Sequence, residues 1–293
     1  VRIAELLSKG KPFLSLEFFP PKERVEWPVF FATVERLKVL NPLFASVTYG
    51  AGGSTQSDTL EIVTRLAREY ELETMAHLTC VGADTASLST FLDQLVAAGV
   101  HNVLALRGDL PPDVSPEIFA CLPLQNASDL VTFIRATHPE IGVAVAGYPE
   151  THPEAVCPDT DLNYLKLKVD QGGDFIVTQL FFDNQLYFDF VRKARGLGIT
   201  KPIIPGILPV VSLKVIQRIV SLCGAGIPPA FLQELEAADR RGGADAVQEV
   251  GVAYARKQAQ ELLAAGAPGV HLYTLNRADA VLNLAQDLLP ATC

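Results

Sequence analysis

No apolar run in this sequence approaches the roughly 18 to 20 residues that a membrane-spanning helix requires. The N-terminus also lacks the basic, apolar and small-residue order of a signal peptide, so a cytoplasmic location with no membrane partner is expected. No Lys/Arg cluster stands out, and the net charge of −9 leaves no basic face for a nucleic-acid phosphate backbone. The five cysteines (Cys80, Cys121, Cys157, Cys223 and Cys293) are scattered, odd in number and without a CxxC pair. That pattern argues against a disulfide framework or a zinc site and is read as reduced, mostly buried thiols. The dinucleotide fingerprint GxGxxG, the Gly-Lys-Ser/Thr ending of a nucleotide P-loop and the HExxH metal motif are all missing. His77 and His152 have no third ligand at metal spacing, so polar contacts to a ligand are expected of them and no metal is. The single tryptophan, Trp27, stands at a predicted helix start, which gives little support to a carbohydrate site.

What is present is a balance of 49% hydrophobic and 19% charged residues over 293 positions, that of a globular protein with a large core. Short β-branched runs alternate with longer amphipathic stretches. Eight strands are predicted, at 13–19, 44–49, 74–79, 102–107, 142–147, 175–180, 202–207 and 269–275. Most are continuously apolar, as expected of strands with a packed barrel interior on one face and helices on the other. Helices are predicted at 28–40, 55–69, 85–98, 128–137, 161–171, 186–197 and 212–222, with Asp84 and Asp161 as N-caps and Gly99 and Gly172 as stops. Residues 228–265 are too long for one connection and are read as two helices divided near Arg241-Gly242-Gly243, followed by the last strand and a closing helix at 277–289. The expected fold is an α/β class (β/α)8 TIM barrel over 1–293, a single catalytic domain with extra helices before the last strand. A doubly wound open sheet is the alternative, without its phosphate-binding signature.

In such barrels the active site forms at the C-terminal ends of the strands. Seven of the eight predicted strands deliver a polar group there: Glu17, Thr48 with Tyr49, His77 with Thr79, Arg107 with Asp109, Tyr148 with His152, Gln179, and Asn276 with Arg277. Glu17 has aromatic neighbours that could exclude water and raise its pKa, as a general acid near neutral pH requires. A structural pairing with Arg107 or Lys22 is the other reading. Arg107-Gly108-Asp109 places a glycine where backbone can approach a flat ligand, or a structural ion pair. Gly50-Ala51-Gly52-Gly53-Ser54-Thr55 follows a strand and opens a helix, which suits an anion but also a plain turn. Tyr148-Pro149-Glu150-Thr151-His152-Pro153-Glu154 crowds polar groups and prolines into one loop and reads as a rigid binding wall.

Together these strand ends resemble the methylenetetrahydrofolate reductase family. The resemblance is carried by Leu16-Glu17-Phe18-Phe19-Pro20-Pro21-Lys22, Ser46-Val47-Thr48-Tyr49-Gly50-Ala51, His77-Leu78-Thr79-Cys80, Leu106-Arg107-Gly108-Asp109, Tyr148 to Ala155, Thr178-Gln179-Leu180-Phe181-Phe182-Asp183, Pro205-Gly206-Ile207-Leu208-Pro209 and Tyr273-Thr274-Leu275-Asn276-Arg277. These blocks stand in the family's order along nearly the whole chain. The resemblance implies reduction of 5,10-methylenetetrahydrofolate to 5-methyltetrahydrofolate by NADH or NADPH, in ping-pong order through FAD, with a homo-oligomer expected. It implies Glu17 as the acid that opens the folate ring to an iminium, in neutral form, and Asp109 between flavin and folate. It gives Gln179, Thr48 and Arg277 to substrate. It assigns FAD to Tyr49, Ala51, His77, Arg107, Gly108, Asp109, Ala127, Tyr148, His152, Ala155, Asp161 and Lys168. The chain departs from the family pattern at Asn126 and Leu167, where a tyrosine and an arginine would touch FAD, and at Val215 and Ile219 in the helix after Pro209. Alternatives are a flavin-independent or catalytically weakened folate-binding relative, and a barrel glycosidase using Glu17 and Asp109.

Overall fold

Strand side chains alternate between faces, and this alternation builds two separate cores. In the computed structural model, which describes residues 1–49, 56–109 and 121–289, β1 (Leu14–Phe18) turns Leu14, Leu16 and Phe18 outward into the layer shared with the helices. Ser15 and Glu17 face the interior, where they meet side chains of other strands. The same alternation runs through β2 (Phe44–Val47), β3 (Thr74–Thr79), β4 (Asn102–Leu106), β5 (Gly142–Gly147) and β6 (Phe175–Thr178). All are parallel, each paired with its predecessor.

The predicted strand at 202–207 is broken. It forms β7 (Ile203–Ile204), paired with β6, and β8 (Gly206–Ile207), paired with β9 (Val270–Tyr273), which returns to β1. Pro205 lies between the halves and has no N–H to give a ladder. The barrel closes there by other means. The Gly206 N–H donates to Thr178 Oγ1 at 2.9 Å, and the Tyr273 hydroxyl donates to the Thr178 carbonyl at 2.6 Å. A Cβ at Gly206 would stand 2.4 Å from that carbonyl, so only glycine fits the seam.

Helices α2 (Trp27–Lys38), α3 (Gln56–Arg68), α4 (Thr85–Ala98), α5 (Ala127–Thr137), α6 (Pro158–Asp170) and α7 (Asn184–Gly196) cover the outside, following the five-residue α1 (Ile3–Leu7). Asp84 caps α4 by accepting from the Ser87 N–H at 2.8 Å, and Gly99 ends it in the left-handed region, both as predicted. Asp161 is not an N-cap. Pro158 pre-sets the first turn of α6, so that helix starts three residues earlier, behind Cys157. The short α1 has too few residues to show a period; its Ile3 plugs the barrel floor with Phe44, Met75 and Phe175.

After β8 come α8 (Leu213–Cys223) and the long α9 (Pro229–Ala264), then β9 and α10 (Ala278–Ala285). Helix α9 loses helical backbone at Gly242 and Gly243, where the division was predicted. Its first half joins Leu180, Phe182, Leu208 and Ile216 in a separate apolar cluster at the strand-exit end of the barrel. Tyr254 anchors this cluster, stacking on Phe231 at 3.7 Å and donating to the Phe182 carbonyl at 2.6 Å.

The seam makes a specific demand on Thr178. Thr178→Val keeps the shape but orphans the buried Gly206 N–H, and urea denaturation is expected to show a loss of about 1–3 kcal/mol.

Candidate active site

Glu17 lies at the floor of the cleft, its side chain 6% exposed. Its Oε2 lies 3.2 Å from His271 Nε2, 3.3 Å from His77 Nε2 and 3.4 Å from the Ser46 hydroxyl that donates to it. The His77 approach is an ion-pair contact, without the alignment of a hydrogen bond. Burial pushes the Glu17 carboxyl up, but the charge of His77 and the hydrogen bond from His271 outweigh it and hold the group down at about 2. The neutral carboxyl expected from the aromatic neighbours is therefore corrected: Phe18 points to the opposite face of the strand, into the helix layer. Nor does Glu17 pair with Arg107 or Lys22; Arg107 grips Glu154 through two hydrogen bonds of 2.6 and 2.8 Å.

Behind Glu17 the polar chain continues. His271 is wholly buried and stacks on Phe44, with its Nδ1 2.9 Å from Ser15 Oγ. A carboxylate only accepts, so His271 carries its proton on Nε2. Ser15 then donates to Nδ1, and its hydroxyl also lies 3.4 Å from the Val270 carbonyl. His271 and Ser15 were missed in the sequence, although the register that places Ser15 beside His271 and Glu17 beside Tyr273 follows from pairing the first and last strands. A histidine inside the apolar run Val270-His271-Leu272 was the available signal.

The cleft above has a volume of about 640 Å³ and is lined by Glu17, Thr48, Tyr49, His77, Arg107, Gly108, Asp109, Tyr148, His152 and Gln179 among the predicted residues. Ile219, Leu222 and Cys223 of α8 form its apolar wall. A second pocket of about 240 Å³ adjoins it, sharing Arg107, Tyr148 and His152 and adding Ala127, Ala155, Asp161 and Lys168. The two make one groove. Arg277 lines neither pocket and is exposed after β9; its neighbour Asn276 is occupied in holding both backbone groups of Phe19. Ala51 and the Gly50–Thr55 segment lie outside the described residues.

Several groups in the groove are poised for a ligand. The buried Thr48 hydroxyl has no hydrogen-bond partner among the described residues. Gln179 Oε1 accepts from the Leu180 N–H at 2.9 Å, which leaves its NH2 group to donate. Gly108 adopts a φ of 87° and packs where a Cβ would stand 2.9 Å from Thr79. Tyr148 meets the His152 ring edge to face at 4.7 Å, and burial raises its hydroxyl to about 12, so it remains a donor. Asp161 accepts from the His152 N–H at 3.0 Å. Lys168 donates to the Ala146 carbonyl at 2.6 Å; burial lowers it to about 8, against the pull of Asp161. Among the described residues no group of three or more His, Cys, Asp or Glu is arranged to hold a metal ion.

Of the departing positions, Leu167 is 39% and Val215 40% exposed, and the Asn126 N–H donates to Asp129 at the start of α5.

A solved structure from Clostridium thermocellum, an uncharacterized protein that binds two copies of 5-methyl-5,6,7,8-tetrahydrofolic acid, is similar in fold with a TM-score of 0.68. It is 14% identical and covers 98% of both chains. Oxaloacetate acetylhydrolase shares the fold more distantly, at a TM-score of 0.56, 9% identity and coverage of 96% of this chain and 82% of that one. By sequence, Methylenetetrahydrofolate reductase (NADH) 1 of Arabidopsis thaliana is 37% identical over 98% of this chain and 50% of its own length. The chain thus spans about half the length of the plant relatives it matches. The 5,10-methylenetetrahydrofolate reductase of Escherichia coli (strain K12) is 36% identical over 92% of this chain and 88% of its own. The family model described as Methylenetetrahydrofolate reductase matches residues 2–288, and with the strand-end residues gathered around one groove, the chain belongs to the methylenetetrahydrofolate reductase family.

Proposed function

We propose that this chain reduces 5,10-methylenetetrahydrofolate to 5-methyltetrahydrofolate, with electrons from NADH or NADPH passed through FAD in ping-pong order. The observation that carries the reading is a buried carboxylate with two histidines at the floor of a cleft that runs on into a groove ending at a part-buried lysine. The names of relatives support both nicotinamides, (NADH) in plants and (NADPH) in Caenorhabditis elegans.

The residues present fit FAD. Lys168 is a part-buried lysine whose pKa burial lowers against the pull of Asp161, and the negative charge of a diphosphate bound beside it would favour the ammonium. Arg107, Ala127, Tyr148, His152, Ala155 and Asp161 border the same groove, and Gly108 lets the end of β4 come close to a flat ring. Bound there, FAD supplies the two-electron relay that no side chain offers. The remaining chemistry belongs to the chain. Thr48, Gln179 and Asp109 orient the pterin over Glu17, and Arg277, exposed beyond β9, takes the outer part of the folate.

Opening the five-membered ring moves a proton to the departing nitrogen and leaves an iminium carbon ready for hydride. Glu17 delivers that proton from the couple it forms with the imidazoles. A substrate covering the carboxylate deepens the burial that already pushes its pKa up, so Glu17 takes up a proton there and passes it to nitrogen. The expected neutral acid is thus a state reached on substrate binding.

Two outcomes test the reading. Glu17→Gln is expected to slow folate reduction by at least about 100-fold, while NADH or NADPH still bleaches the flavin absorbance; normal folate turnover by this variant would refute the role. Lys168→Met is expected to weaken FAD binding about 10-fold, or about 1.4 kcal/mol, by fluorescence titration. In the unsubstituted protein, FAD affinity should fall as pH rises beyond about 8, because the ammonium is lost there. Parallel pH curves for the two proteins would rule out charge pairing at Lys168.

A further inference from the structure

Helix α8 supplies one wall of the cleft, yet little holds it. Of its eleven residues only Ile216 is fully buried, while Val215 and Leu222 are 40% and 74% exposed. At its N-terminus the Ser212 hydroxyl accepts from the Val215 N–H at a long 3.4 Å. Its C-terminal end is tied to the facing wall. Glu150 Oε2 accepts from the Gly226 N–H at 2.9 Å, and Gly224, at φ 74°, packs so that a Cβ would stand 3.1 Å from Pro153 Cγ. Both contacts come from the loop that carries Tyr148 and His152 into the groove.

The carboxylate is held there against opposition. Burial and the charge of Asp183 both push the Glu150 carboxyl up, and its Oε1 is buried with no hydrogen-bond partner among the described residues. The loop itself is strained at Thr151, whose φ of 94° disfavours a β-branched residue. A carboxyl group kept half-buried with one oxygen on the Gly226 N–H and the other without a hydrogen-bond partner among the described residues marks a contact with a job.

We propose that Glu150 is a positioning residue: by tying the turn after α8 to the loop after β5, it fixes the gap between Ile219, Leu222 and Cys223 on one wall and Tyr148 and His152 on the other, and so sets affinity for the planar substrate between them. The proposal rests on the folate-reducing reading for the nature of that substrate. The tie itself is testable without it.

The test compares Glu150→Ala and Glu150→Gln with the unsubstituted FAD-loaded protein. Gln keeps an oxygen acceptor for Gly226; Ala does not. In Glu150→Ala, amide hydrogen exchange over residues 213–226 is expected to speed up about 10-fold with the barrel strands unchanged. The KM for methylenetetrahydrofolate is expected to rise about 5-fold or more with kcat within about 2-fold, and Glu150→Gln to restore both. Unchanged exchange over 213–226 in Glu150→Ala, acceleration spread evenly over the barrel, or an equally impaired Glu150→Gln would overturn the proposal. If no form of the protein reduces methylenetetrahydrofolate, the functional reading fails, and the exchange pattern alone decides whether the tie exists.

Discussion

A negative charge buried on the barrel axis is the constraint around which the cleft is organised. An isolated carboxylate in such a place would take up a proton rather than stay ionised. Glu17 stays ionised because β3 and β9 each aim a histidine at the same oxygen and Ser46 adds a hydroxyl. Those partners come from strands that must keep their register, so the polar centre depends on the closed barrel. Conversely, a one-residue slip in β9 would turn His271 outward and leave the charge half-compensated. Stability and chemistry therefore share the same residues at this point.

Beneath the charge, the floor is apolar: Phe44, Met75 and Phe175 pack with Ile3 of the N-terminal helix, and Phe44 supports the His271 ring by stacking. This keeps water from approaching from below and leaves the cleft as the open side of the polar group. The groove then grades from this buried centre to the half-exposed pocket at Lys168. One end offers a carboxylate flanked by two imidazoles, the other a part-buried lysine with Asp161 nearby.

Much of this was legible in the chain. The eight-fold alternation, the polar strand ends and the division of α9 at Gly242-Gly243 all rest on local signals that tertiary structure does not override: short continuous apolar runs between longer amphipathic stretches, and glycines where backbone must bend. Other features were hidden for physical reasons. The break in the seventh strand depends on how Thr178 and Tyr273 compensate for Pro205, which no local pattern reveals. The charge on Glu17 is hidden in the sequence because neighbours in sequence are not neighbours in space; in a strand, adjacent residues face opposite ways. His271 was overlooked because a polar residue in an apolar run gains meaning only once the first and last strands are paired. Asp161, taken for a cap, proved to hold the His152 backbone, since the proline three residues before it had already started the helix.

The seam at Pro205 has a consequence for how the barrel deforms. Around most of the circumference neighbouring strands share four or five consecutive pairs, whereas β6–β7 and β8–β9 share two each. Elastic compliance is therefore concentrated along one meridian, directly below the helices inserted after β8. Insertions, deletions and drift in that elaboration can be absorbed as small changes of hoop circumference there, leaving the arc from β2 to β5 geometrically undisturbed.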